Sequence, residues 1–62
     1  MEDKMLIKLW IEDVENETKL EDLGTCVTDN PSRAAALYDD DVTTWCDRGY
    51  AASLSWSVIS DN

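Results

Sequence analysis

The stretch KMLIKLWIEDV, residues 4–14, sets Met5, Ile7, Leu9 and Ile11 at every second position, with Lys4, Leu6, Lys8, Trp10 and Glu12 between them. Side chains of an extended chain alternate between two faces, so this period of two predicts a β-strand whose odd-numbered side enters a core. Leu6 and Trp10 fall on the opposite side among charged residues, and are expected to be exposed there.

Working outward from that strand, Glu12 to Thr18 is polar and acidic and offers Asn16 as a turn residue. A looser run, Lys19 to Val27, comes next, and the pair reads as a β-hairpin. Leu23, Thr25 and Val27 share one side of this second strand, and Gly24 and Cys26 the other, a pattern suited to an edge. Thr28-Asp29-Asn30-Pro31 then punctuates the chain: Asn30 is a capping residue, and Pro31 at the first helical position loses no needed donor. Ala34, Ala35, Tyr38, Val42 and Trp45 recur at spacings of three and four, with Leu37 at the border of the stripe, and Gly49 offers a stop. This predicts one helix over residues 31–46. Asp39-Asp40-Asp41 and Thr43-Thr44 are poor helix formers, which keeps open a helix that ends after Tyr38 and a strand over Val42 to Cys46. Finally, Ala52 to Ile59 alternates again, with Ala52, Leu54, Trp56 and Val58 on one side and serines on the other. Trp56 is expected in the core.

Strand, strand, helix, strand implies an α+β fold: a three-stranded antiparallel sheet ordered 2-1-3 with one helix packed on one face. The 62 residues make a single small domain, and a chain of this size buries only ~60% of the surface its unfolded form exposes. Three tryptophans and two tyrosines argue for a real, thin core. The face opposite the helix is left with Leu6, Trp10 and the serines, framed by Lys8 and Glu12, and uncovered apolar groups of this kind mark contact surfaces.

Fourteen acidic residues against five basic ones, with no histidine, give a formal net charge of -9. Such a field attracts basic surfaces and repels nucleic acid. The acidic start of the chain is unlike the positive region of a secretory signal, and no apolar run approaches the ~20 residues of a membrane span, so the chain reads as soluble and cytoplasmic. Cys26 and Cys46 are read as free thiols, with Cys46 buried.

The inventory is poor for catalysis: it lacks a histidine base, a glycine-rich phosphate loop and a recognisable nucleophile motif. Three contiguous aspartates on a helix fan out at ~100° intervals, so Asp39, Asp40 and Asp41 do not converge on a cation, and neither a metal nor another cofactor is expected. The charge itself is the feature left to explain. Glu12, Asp13, Glu15, Glu17, Glu21 and Asp22 crowd the hairpin, and Asp39, Asp40, Asp41 and Asp47 crowd the helix and its end. Carboxylates spaced ~6.8 Å apart on one side of a strand form a regular line of charge, as the phosphates of a duplex do.

In size, acidity and lack of catalytic groups the chain resembles the small inhibitors that phages use against host nucleic-acid enzymes, such as uracil-DNA glycosylase inhibitors and other DNA mimics. No shared motif carries the resemblance, so it assigns no residue a role. It implies a protein that binds no nucleic acid itself and blocks the channel of a basic nucleic-acid-binding protein, with the ten acids above as the charge array and Leu6 or Trp10 as an apolar anchor. The competing reading is a structural or regulatory homodimer that uses the open sheet face or the second strand and is acidic only for solubility.

Overall fold

The computed structural model describes residues 3–61; Met1, Glu2 and Asn62 lie outside the described residues. Strands β1 (Met5–Asp13), β2 (Thr18–Thr28) and β3 (Ala52–Asp61) form an antiparallel sheet of order β2-β1-β3, and helices α1 (Pro31–Ala36) and α2 (Asp39–Asp47) connect β2 to β3. The fold class, strand order and hairpin agree with the reading of the sequence.

The alternation in β1 is realised in full. Ile7, Leu9 and Ile11 are buried, whereas Leu6, Lys8, Trp10 and Glu12 on the other side are only partly covered. The helices lie over the odd-numbered face and pack chiefly against β3. Two register shifts in β2 leave Leu23 and Leu20 outside the pairing, since Leu9 faces Gly24 but Trp10 faces Asp22, and Ile11 faces Glu21 but Glu12 faces Lys19. Gly24 beside the first of these bulges has φ +112, a conformation that L side chains rarely adopt. The bulge also corrects the expected faces of β2: Thr25 and Val27 share the open side, but Leu23 leaves the alternation.

The single helix expected over 31–46 is two. Asn30 caps α1, its Oδ1 accepting the Arg33 amide at 3.2 Å, and Pro31 opens it as expected. The chain then tightens, the Leu37 and Tyr38 amides donating to the Ala34 and Ala35 carbonyls three residues back, and a new helix starts with Tyr38 as its cap. The aspartate run explains the restart. Aspartate is unfavourable in a helix interior and favourable in the first turn, where its charge meets the positive end of the backbone dipole, and Asp39, Asp40 and Asp41 occupy that first turn. Thr43 and Thr44 are helical nonetheless, their hydroxyls donating back to the Asp39 and Asp40 carbonyls four residues earlier. Ala34, Ala35, Tyr38, Val42 and Trp45 all turn inward despite the break, and Leu37 is exposed.

Helix α2 ends in a Schellman motif. Gly49, at φ +97, donates to the Cys46 carbonyl, Tyr50 donates to the Trp45 carbonyl, and the Tyr50 ring meets Trp45 edge-on at 5.3 Å. The Arg48 guanidinium lies 4.8 Å from the Trp45 ring centre. Cys46 is exposed and not buried as expected, because it sits at the rim of α2 with its Sγ 3.7 Å from the Ala52 carbonyl.

A further correction concerns β3. Its pairing puts Leu54, Trp56 and Val58 opposite Ile11, Leu9 and Ile7, on the core side, as the alternation requires. Yet Trp56 is 41% exposed and Val58 46%. Two helices of six and nine residues are too short to cover a ten-residue edge strand along its whole length.

Candidate functional site

The fold sorts the ten acids of the two sequence clusters into different settings. Asp13 is buried: its carboxylate accepts the Glu15 amide at 3.2 Å and the Asn16 side-chain amide at 2.7 Å, which closes the hairpin turn. It is a structural aspartate and does not belong to an outward array. Glu12 accepts from the Trp10 indole and the Ser55 hydroxyl, both at 3.2 Å, on the open face. Asp22, across β1 from Ser55, is paired with Lys19 and lies 3.7 Å from Lys8. The Lys19 ammonium holds the Asp22 carboxyl below the ordinary carboxylate range, and the same bond raises Lys19.

Glu21 lies on the other side of the sheet, facing Trp45 of α2, whose indole donates to it at 3.5 Å. Glu15 and Glu17 form the exposed hairpin tip, and Glu17 sits at φ +50, in the left-handed region. Asp39, Asp40, Asp41 and Asp47 are all exposed on α2. The contact from Trp45 to Glu21, with the Val14 amide donating to the Ala51 carbonyl at 3.0 Å, fixes the C-terminal end of α2 at the hairpin end of the sheet. Asp47 therefore joins Glu15 and Glu17 there, and Asp39 to Asp41 lie about 9–12 Å farther along the helix axis at 1.5 Å per residue. The two sequence clusters are neighbours in space.

Four of the five positive charges are already engaged, and Lys4, at the far end of β1 from the hairpin, is exposed. Among the described residues the ion pairs join Lys8 and Lys19 to Asp22, and Arg33 to Asp29 at 3.1 Å. Lys19 also lies 5.9 Å from the Trp10 ring centre, and Arg48 covers Trp45. Glu15, Glu17, Asp39, Asp40, Asp41 and Asp47 have no basic partner among the described residues and face solvent.

Leu6 and Trp10 stand on the open face, as the alternation predicts, in rows with Val27 and Ser60 and with Asp22 and Ser55. Both are half-buried, Trp10 held by Glu12 and Lys19. The sequence reading missed this clamp. On a regular strand Lys19 and Asp22, three apart, fall on opposite faces, and only the bulges bring them together beside Trp10; Gly24 was the one residue that could have marked a bulge there. The sequence reading missed equally the exposed apolar residues of β3, Trp56, Val58 and Ile59. The described residues enclose no pocket and hold no cluster of three potential metal ligands, and none of their helices is long and apolar enough to cross a membrane. No protein-family model matches the sequence, and no curated protein or solved structure matches it significantly.

Proposed function

We propose that this chain is a non-catalytic acidic protein that occupies the nucleic-acid-binding surface of a basic protein in place of the phosphate array. One observation carries this reading: Glu15, Glu17, Asp39, Asp40, Asp41 and Asp47 face solvent without a basic partner among the described residues, around one end and one flank of a molecule 42 Å long and 19 by 15 Å across. Solubility asks for net charge, but mixed signs serve it as well. A nearly one-signed surface suits a cationic groove. Trp10 and Leu6 on the open sheet face supply the apolar contact that anchors such a complex.

The test is titration of the protein into assays of uracil-DNA glycosylase and a panel of other duplex-binding enzymes. Inhibition that duplex DNA competes away, and that weakens steeply between about 50 and about 200 mM salt, is the expected result. Inhibition of none of the panel, or inhibition indifferent to salt and DNA, overturns the reading. A gel shift at low salt serves as control, with no DNA retained by the protein. Reversal of Glu15 and Asp47 to lysine slows association with the inhibited enzyme. Reversal of Asp39, Asp40 and Asp41 slows it as well but also lowers the melting temperature. Each carboxylate in the first turn of a helix contributes about 0.3–1 kcal/mol, and lysine there opposes the dipole.

A further inference from the structure

The two edges of the sheet are protected very differently. The edge formed by β2 carries Lys19, Glu21 and Asp22 and is broken by two bulges, the features that keep edge strands from pairing with other chains. The edge formed by β3 has no charged residue from Ala52 to Ser60 and a single bulge, at Ile59, where Leu6 faces Ser60 but Ile7 faces Val58. Trp56, Val58 and Ile59 on it are 41, 46 and 52% exposed.

The ladder shows which backbone groups are free. The Val14 amide bonds the Ala51 carbonyl, so by the alternation of antiparallel bonding Ser53, Ser55 and Ser57 exchange their bonds with β1. The amides and carbonyls of Leu54, Trp56 and Val58 therefore point away from β1, to the open edge. The order of residues about Trp56 is symmetric in character over Leu54 to Val58: Ser55 and Ser57 flank it, then Leu54 and Val58, and the match ends at Ser53 and Ile59, where the bulge begins. A two-fold interface requires a surface complementary to itself, and this strand meets the requirement.

We propose that two copies of the chain pair through β3, antiparallel about Trp56, into one continuous six-stranded sheet. Trp56 then faces its own copy, and Leu54 of each chain faces Val58 of the other. The serines line the open face, and the apolar row runs unbroken along the helix side. The occupant is a second copy because the edge is neutral and self-complementary, while β2 with its charges lies two strands, about 10 Å, away. A thin-cored small domain also gains most from such a partner. The proposal stands apart from the nucleic-acid reading, and salt separates the two: dimerisation of two chains at -9 tightens as salt rises, and binding of a basic partner loosens.

Sedimentation equilibrium from micromolar to millimolar concentration, at low and high salt, reads the mass, and amide hydrogen exchange reads the interface. We expect twice the 7.0 kDa of one chain at the upper end, a midpoint that moves to lower concentration with salt, and slowed exchange of the Leu54, Trp56 and Val58 amides in step with the mass. Val58→Pro deletes an amide that β1 does not use, and Val58→Lys places charge on the edge. Both should weaken association at least tenfold while circular dichroism stays that of the folded chain. A constant single-chain mass overturns the proposal. So does a dimer in which those three amides still exchange freely, or a folded variant that associates as the wild type does.

Discussion

Leu9→Ala tests whether the core is as narrow as the burial indicates. Leu9 is 1% exposed, with Ile7 and Ile11 beside it on the same face of β1 and Trp56 opposite it on β3. Truncating a buried leucine costs about 2–5 kcal/mol, the loss of transfer free energy plus the cavity left behind. At about 0.05–0.15 kcal/mol per residue, a domain of this length has only about 3–9 kcal/mol to lose. At mid-range Leu9→Ala thus removes roughly half of the stability. Trp56 is the larger side chain, and the alternation in β3 alone ranks it as core. Its 41% exposure reverses the ranking. Little more than half of the side chain is withdrawn from water, so from the about 1.5–3 kcal/mol of a fully buried large side chain Trp56→Ala costs about 1–2 kcal/mol, and solvent fills the opening without leaving a void. Urea unfolding monitored by far-ultraviolet circular dichroism, at concentrations where sedimentation shows a single chain, gives both values with the same m. A loss in Trp56→Ala equal to that in Leu9→Ala would refute the reasoning and return Trp56 to the core.

The hairpin gives two further outcomes. Glu17→Gly relieves a non-glycine residue at φ +50, and the about 1–2 kcal/mol of left-handed strain outweighs the about 0.5–1 kcal/mol of added chain entropy, so the melting temperature rises; a fall would show that Glu17 makes a stabilising contact. Lys19→Met returns the Asp22 carboxyl toward its ordinary titration, as read by carboxyl carbon chemical shifts. Because the folded-state pKa of Asp22 is depressed and that of Lys19 raised, their pairing supports the fold at neutral pH. Its contribution disappears as acid takes pH down through the Asp22 value, or as base takes it up through the Lys19 value. An unchanged Asp22 titration in the variant would assign the shift to Lys8 and not Lys19.

What was legible in the sequence was whatever the local pattern determines. The period of two in residues 5–11 gives β1 and its faces, Asn30-Pro31 gives the start of α1, and Gly49 gives the end of α2. The order of the sheet comes from the hairpin and one crossover. The illegible parts depend on lengths and registers that only the assembled molecule has. In Lys19 to Val27 only Gly24 hints at a bulge, and it does not say that Leu23 and Leu20 drop out of the ladder, a shift that carries Asp22 to Trp10 and Glu21 to Trp45. Trp56 has the pattern of a core residue, and it fails to become one because the helices end before the strand does. Of the candidate site, the composition and the two clusters were readable, but not which acids the fold consumes.

That division of the acids narrows the search for function. Asp13 closes the turn, Asp22 holds two lysines, Glu12 accepts from Trp10 and Ser55, Glu21 meets Trp45, and Asp39 to Asp41 start a helix. Each of these has a folding reason to be acidic. Glu15, Glu17 and Asp47 have none. Glu17 occupies a conformation suited to glycine or asparagine, and Asp47 ends α2, where the negative pole of the helix disfavours a carboxylate. Both break a local rule, and both lie toward the hairpin end of the molecule, as Glu15 does. Departures from local preference gather where selection acts on something other than stability. A merely soluble surface would have no reason to hold acids at the positions where the fold tolerates them least, so the hairpin end is the part of the charge array to which the proposed contact is assigned.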